Sequence, residues 1–117
     1  MDPLRFKVRS RPHTDARIVK AACHDGKDIH DAKVTYIAWR HHVILHTHFI
    51  PQKRYMSQQQ QGFVCQRGFF WTREQAAKIA LRSGQVKGRY GLLTSEDLWD
   101  KDGVPRKPGV PYDPLAG

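Results

Sequence analysis

Apolar and polar positions divide this chain into a sheet-like first half, a polar link, a helical segment and a tail. Residues 17–29, RIVKAACHDGKDI, hold a β-rich apolar run closed by Asp25-Gly26, a dipeptide that tolerates the positive φ angles of a tight hairpin turn. Residues 32–39, AKVTYIAW, set Val34, Tyr36 and Ala38 on one face and Thr35, Ile37 and Trp39 on the other, as in a strand partly buried on both sides. The next stretch, RHHVILHTHFIP over 40–51, suits a helix better. His42, His46 and Phe49 then share one stripe with Val43, Ile44 and Leu45 on its flank, whereas a strand scatters the histidines over both faces. A short helix ended by Pro51 is expected. QKRYMSQQQQ reads as a mobile polar loop, or as one more turn of helix.

The second half carries sharper signals. QGFVCQRGFFW has the length and composition of two short strands joined at Gln66-Arg67-Gly68, with Gly68 in a left-handed turn conformation. Thr72 is a good N-cap, because its hydroxyl accepts from an otherwise unpaired backbone N–H, and Gln75 three residues later completes a capping box. A helix over 73–83 follows, with Ala76, Ile79 and Ala80 on its apolar face and Gly84 at the left-handed position beyond its end. Gly88 and Gly91 then bracket a turn, Leu92 and Leu93 return to the core, and Ser95 caps a last turn in SEDLW. Residues 100–117 hold four of the chain's seven prolines and predict an arm or linker without regular structure. The pattern therefore predicts an α+β fold: a small antiparallel sheet with two or three short helices, in one domain over 1–99 that has a basic N-terminal arm and a Pro-rich tail over 100–117.

Composition changes the picture in two respects. At 117 residues the chain supports one modest core, and sharing surface around Trp39, Trp71 and Trp99 with a second copy would help to bury it, so a homo-oligomer is expected. Twenty Lys and Arg against eleven Asp and Glu give a formal charge of +9, which attracts phosphate-bearing partners or simply maintains solubility. Cys23 and Cys65 lack CxxC spacing, as in a reducing compartment. No apolar stretch approaches the ~20 residues of a membrane span, and no secretory signal follows the charged N-terminus.

Candidate chemistry is concentrated in two places. His41, His42, His46 and His48 fall within eight residues, and on a helix His42 and His46 could bind one metal ion together. No acidic residue accompanies them as in HExxH and no spacing identifies a third ligand, so phosphate, base-edge or interface hydrogen bonds suit them better and no metal is expected. Nucleophile-elbow, Walker and Rossmann patterns are missing and nothing assembles an acid and a base, so neither an enzyme nor a cofactor is expected. The second place is GFFWTRE. There Phe69, Phe70 and Trp71 precede a helix start, whose unpaired N–H groups and positive dipole end attract anions. At least two of these aromatics belong in the core, and one could stack on a base.

The order RHHVILH, QQGFVCQRGFFWTREQAAKIALRSGQVKG and LLTSEDLW, over about residues 39–99, resembles a pattern of small phage proteins, most of all the phage anti-Thoeris sponges that sequester cyclic ADP-ribose signals. The resemblance implies an N-terminal antiparallel sheet, a helical C-terminal part, assembly into dimers or larger oligomers, and a pocket that holds a nucleotide in the host cytoplasm without cleaving it. On this chain it points to Arg40, His41 and His42, to Gln61 and Phe63, to Phe69, Phe70 and Arg73, and to Gln85 and Lys87. The chain departs from the pattern in AKVTYIAW, where a turn glycine is expected, and in its basic arm and Pro-rich tail. The expected function is immune evasion by sequestering a cyclic ADP-ribose isomer or a cyclic oligonucleotide. The runner-up is a DNA- or RNA-binding module whose charge tracks the phosphate backbone while aromatics stack on bases. A His-dependent phosphodiesterase or nuclease is third.

Overall fold

The computed structural model describes residues 4–53, 57, 60–87, 92–100 and 102–106. Five strands, β1 (Leu4–Arg5), β2 (Ile18–His24), β3 (Val34–Ala38), β4 (Gln61–Cys65) and β5 (Phe70–Thr72), form one antiparallel sheet in the order β1-β3-β2-β4-β5. Helix α1 (His41–Ile44) opens a helical run between β3 and β4, and α2 (Arg73–Arg82) follows β5 directly. The fold is thus the expected α+β arrangement.

Alternation along the strands sends side chains to two apolar layers. On one face Ala21, Phe63, Cys65 and Trp71 pack beneath Ala76, Ile79 and Ala80 of α2, and Cys23 and Ala38 pack with Ile44 and Phe49. On the opposite face Ala22, Val64 and Phe70 meet Phe6, Ile29 and Ile37. Tyr36 and Ile37 join opposite layers, as the alternation in AKVTYIAW predicts.

The N-terminal arm covers the second layer and is an integral part of the fold. Leu4 and Arg5 pair with Thr35 and Val34 on the outer side of β3, the Phe6 N–H donates to the Lys33 carbonyl at 2.8 Å, and Val8 bridges Phe70 in parallel on the outer side of β5. The Phe70 N–H donates to the Lys7 carbonyl at 2.9 Å. One extended segment therefore strap-like covers both edges of the sheet, satisfying backbone groups that an open edge leaves exposed.

Several local expectations hold. Gly68 and Gly84 take φ of 82° and 81°, closing the β4–β5 turn and the end of α2. The Thr72 hydroxyl accepts from Gln75 N–H at 3.2 Å while the Gln75 side chain accepts from Thr72 N–H at 3.0 Å, so the capping box is complete.

Others are corrected. Asp25-Gly26 does not close a tight turn: Gly26 has no positive φ, and the β2–β3 connection runs over 25–33. Asp25 closes it through its carboxylate, which accepts from the N–H groups of Lys33 at 2.7 Å and Val34 at 3.1 Å. The helical run does not end at Pro51. It widens to a π-helical turn over Leu45–Phe49, tightens to a 3₁₀ turn over Ile50–Gln52 and stops at Lys53, whose φ is 55°. Pro51 sits in the first turn of that 3₁₀ segment, where no N–H is required of it. The wider turn brings Phe49 under the sheet beside Ile44, five residues back, and leaves His42 and His46 exposed, so the three do not share a stripe. The cap of the 3₁₀ turn Ser95–Asp97 is Thr94, not Ser95.

Trp71 and Trp99 are buried within the single chain at 0% and 4% exposure, so the premise that they need a second copy falls, and Trp39 alone remains half-exposed. The packed chain also runs past residue 99. Trp99 bridges Pro105, and Arg106 N–H donates to the Leu98 carbonyl at 2.8 Å. The turn expected at Gly88 and Gly91, half of the polar loop and tail residues 107–117 lie outside the described residues.

Candidate functional site

The start of α2 borders a cleft of about 410 Å³ lined by Asp28, Ile29, Gln61, Thr72, Arg73, Glu74 and Leu92. Local sequence builds it: Thr72 ends β5 and caps α2, so Arg73 and Glu74 stand at the first two helical positions, where backbone N–H groups have no partner within the helix. Antiparallel pairing of Gly62 with Thr72 places Gln61 alongside, and the Arg73 guanidinium donates from Nη2 to Gln61 Oε1 at 2.9 Å. Arg73 is half-buried and its enclosed Nε has no acceptor among the described residues. The enclosed Nε faces away from solvent, so an acceptor in the cleft would meet the guanidinium at the terminal N–H groups that Gln61 does not engage.

The charges around the cleft are mixed. Arg73 is cationic and Asp28 and Glu74 are carboxylates, so a bare phosphate would be attracted by one group and repelled by two. A ligand with both a phosphate and hydroxyl or amino donors satisfies all three.

Two neighbouring groups are chemically quiet. The Cys23 thiol is pushed up to about 12 by burial, against the opposing pull of Arg73, so it stays protonated and is no nucleophile near neutral pH. The His41 imidazole is lowered to about 4 by burial, with the Gly62 bond opposing and Arg73 adding to the depression. Neutral, it donates from Nε2 to the Gly62 carbonyl at 2.7 Å and stands edge-on to Phe63 with ring centres 5.1 Å apart.

Of the residues that the sequence singles out, only Gln61 and Arg73 meet in this cleft. Arg40 is buried, and its guanidinium donates to the Ser95 carbonyl at 3.1 Å and stands 3.8 Å from Glu96, clamping the Ser95–Asp97 turn. Gln85 spends its amide on the backbone of Ile18, accepting from its N–H at 2.8 Å and donating to its carbonyl at 2.7 Å, which ties the end of α2 to β2. Phe63 and Phe70 are fully buried core. His42 and Lys87 are exposed, and the rings of His42 and His46 lie 6.5 Å apart. His48 stacks on Tyr36 at 4.4 Å. Among the described residues no three His, Cys, Asp or Glu side chains converge as a metal site would require.

Phe69 is the one partly exposed member of its aromatic trio, and it lies at the far end of β5 from Arg73. The Lys7 ammonium and the Arg9 guanidinium stand 5.9 Å and 5.5 Å from its ring centre. Sequence reasoning missed Asp28, Ile29, Glu74 and Leu92 as cleft walls, because the first two come from a connection whose path depends on Asp25. It also missed Lys7 and Arg9, although the alternation Arg5, Lys7, Arg9, Arg11 was a readable signal.

Among the described residues no helix is long and apolar enough to cross a membrane. No curated protein and no solved structure matches the chain. A family of phage proteins, described as phage T4 y16D protein, matches residues 17–99, which take in β2 to β5, both helices and the cleft. By that match over most of its length, the chain belongs to the phage T4 y16D protein family.

Proposed function

We propose that this phage protein acts in the host cytoplasm by binding a phosphate-bearing signalling nucleotide, of the cyclic ADP-ribose or cyclic oligonucleotide class, and withdrawing it from a host effector by mass action. The observation that carries the reading is Arg73, half-buried on a cleft of about 410 Å³ with its guanidinium held, among the described residues, by the one bond to Gln61. That volume falls within the range of small-molecule sites. Arg73 and the first N–H groups of α2 take the phosphate, while Asp28 and Glu74 accept from ribose hydroxyls or a base amino group. Storage without cleavage fits the neighbourhood: His41 is neutral and committed to the Gly62 carbonyl, and Cys23 is protonated. The resemblance to anti-Thoeris sponges extends the reading to assembly of at least two copies, which a mass measurement by light scattering decides.

The test is to incubate the protein with cyclic ADP-ribose isomers and cyclic oligonucleotides, denature it and analyse the released nucleotide. Intact nucleotide is expected; a hydrolysed product would make the protein an enzyme and end the sponge reading. In calorimetry Arg73→Ala is expected to weaken binding by about 1.5–3 kcal/mol through loss of a charge-assisted contact. Its cost to folding is the single bond to Gln61, about 1 kcal/mol. Unchanged affinity in a folded Arg73→Ala variant would move the site away from this cleft.

A further inference from the structure

The strap offers a second surface, at the opposite end of β5 from the cleft and independent of the reading above. Its backbone is held by the pairing of Leu4 and Arg5 with β3, by the Phe6 N–H on Lys33 and by the Lys7 carbonyl on Phe70. Phe6 turns inward, with its ring centre 5.6 Å from Phe70 and 5.5 Å from His24. Side chains of an extended chain alternate, so Arg5, Lys7 and Arg9 are turned outward, and all three are exposed. Lys7 and Arg9 flank the half-exposed ring of Phe69. Arg67, 53% exposed at the β4–β5 turn, is paired with Asp15 at 3.3 Å, so these two add no net charge and the positive surface of the ridge is that of Arg5, Lys7 and Arg9.

We infer that this ridge binds single-stranded nucleic acid, with the cations on successive phosphates and Phe69 or the Arg9 guanidinium plane stacked against a base. A single strand suits the ridge better than a duplex, because a paired duplex keeps its bases out of reach of an aromatic ring and the ridge has no helix to enter a groove.

The test uses the full chain and fluorescence anisotropy with labelled dT15 and U15 strands and a duplex of matched length, at several salt concentrations. The single strands bind more tightly than the duplex, and log K falls with log salt by about 0.7 per phosphate contacted, a slope of about −2 for three contacts. Replacing Lys7 and Arg9 together by Gln removes about 1.4 from that slope and weakens binding at least tenfold. Phe69→Leu keeps the packing against the core, leaves the slope unchanged and weakens binding about fivefold or more through lost stacking. Arg73→Ala leaves oligonucleotide binding unchanged, which separates this surface from the cleft. Thermal unfolding of each variant establishes that it is folded. Three results would overturn the inference: no binding of either strand at low salt, an unchanged slope in the Lys7 and Arg9 variant, or duplex binding as tight as single-strand binding with Phe69→Leu indistinguishable from the parent.

Discussion

At the scale of single residues, His41 shows how burial decides what an ionisable group does. Adjacent histidines suggest a reactive cluster, yet His41 lies 6% exposed with its Nε2 on a backbone carbonyl, while His42 faces solvent. The consequence is a dependence of stability on pH. The folded-state value is about 4 against 6.5 for a free imidazole, so the unfolded chain takes up the proton first as pH falls. Stability is complete above pH 6.5 and is lost between there and pH 4, by about 3 kcal/mol if the whole shift is realised. His41→Gln keeps an N–H for the Gly62 carbonyl without the titration. Urea unfolding between pH 7 and 4 is expected to show a shallower acid loss in this variant than in the parent; parallel curves would mean that the imidazole is not the acid-sensitive group. Arg73 carries the complementary lesson, because its place at a helix start is legible in the sequence whereas its partner Gln61, twelve residues away, depends on the pairing of β4 with β5.

Elements differ in how much of their geometry is locally encoded. Helix α2 has its capping box, its apolar stripe and its left-handed glycine within a dozen residues, and the structure reproduces each. Thr72→Ala removes the hydroxyl that receives the Gln75 N–H and is expected to lower the free energy of unfolding by about 1 kcal/mol. Denaturant titration checks it, and Thr72→Ser, which restores the acceptor, should recover most of the loss. A Thr72→Ala variant as stable as the parent would mean that packing of α2 on Trp71 and Phe63 alone holds the helix start. The run over 41–52 behaves differently. Its three successive helical registers follow from the need to bury Ile44 and Phe49 against β2 and β3, which no local signal in the segment specifies.

For the whole molecule the N-terminal strap closes what would otherwise be an open sheet. It pairs with β3 at one edge and β5 at the other, and Phe6 fills the layer between them. Deleting residues 1–8 is expected to lower the melting temperature and to bring aggregation on heating, because two strand edges and the Phe70 face become exposed together. Scattering measured alongside circular dichroism during a thermal ramp tests this. A truncated chain with the parental melting point and no aggregation would show that the edges need no cover. Since residues 1–8 also carry Arg5 and Lys7, the point substitutions described above remain the test of nucleic-acid binding.

The sequence by itself determined the α+β class, the turn at Gly68, the helix beginning at 73 with its caps, expected to run to 83 and observed to 82, and the assignment of at least two of Phe69, Phe70 and Trp71 to the core. These rest on interactions between residues one to four positions apart, or on strand alternation, and both are written in the order of residue types. Only the tertiary structure decided that the basic arm is a strap, that Arg40 and Gln85 are clamps, and that Gln61 and Arg73 share a cleft with Asp28 and Glu74. Arg40 meets a residue 55 positions away and Gln85 one 67 positions away. Whether a guanidinium or an amide faces a ligand or a neighbour's backbone depends on which distant carbonyl the fold brings within 3 Å, and residue type and spacing carry no record of that distance.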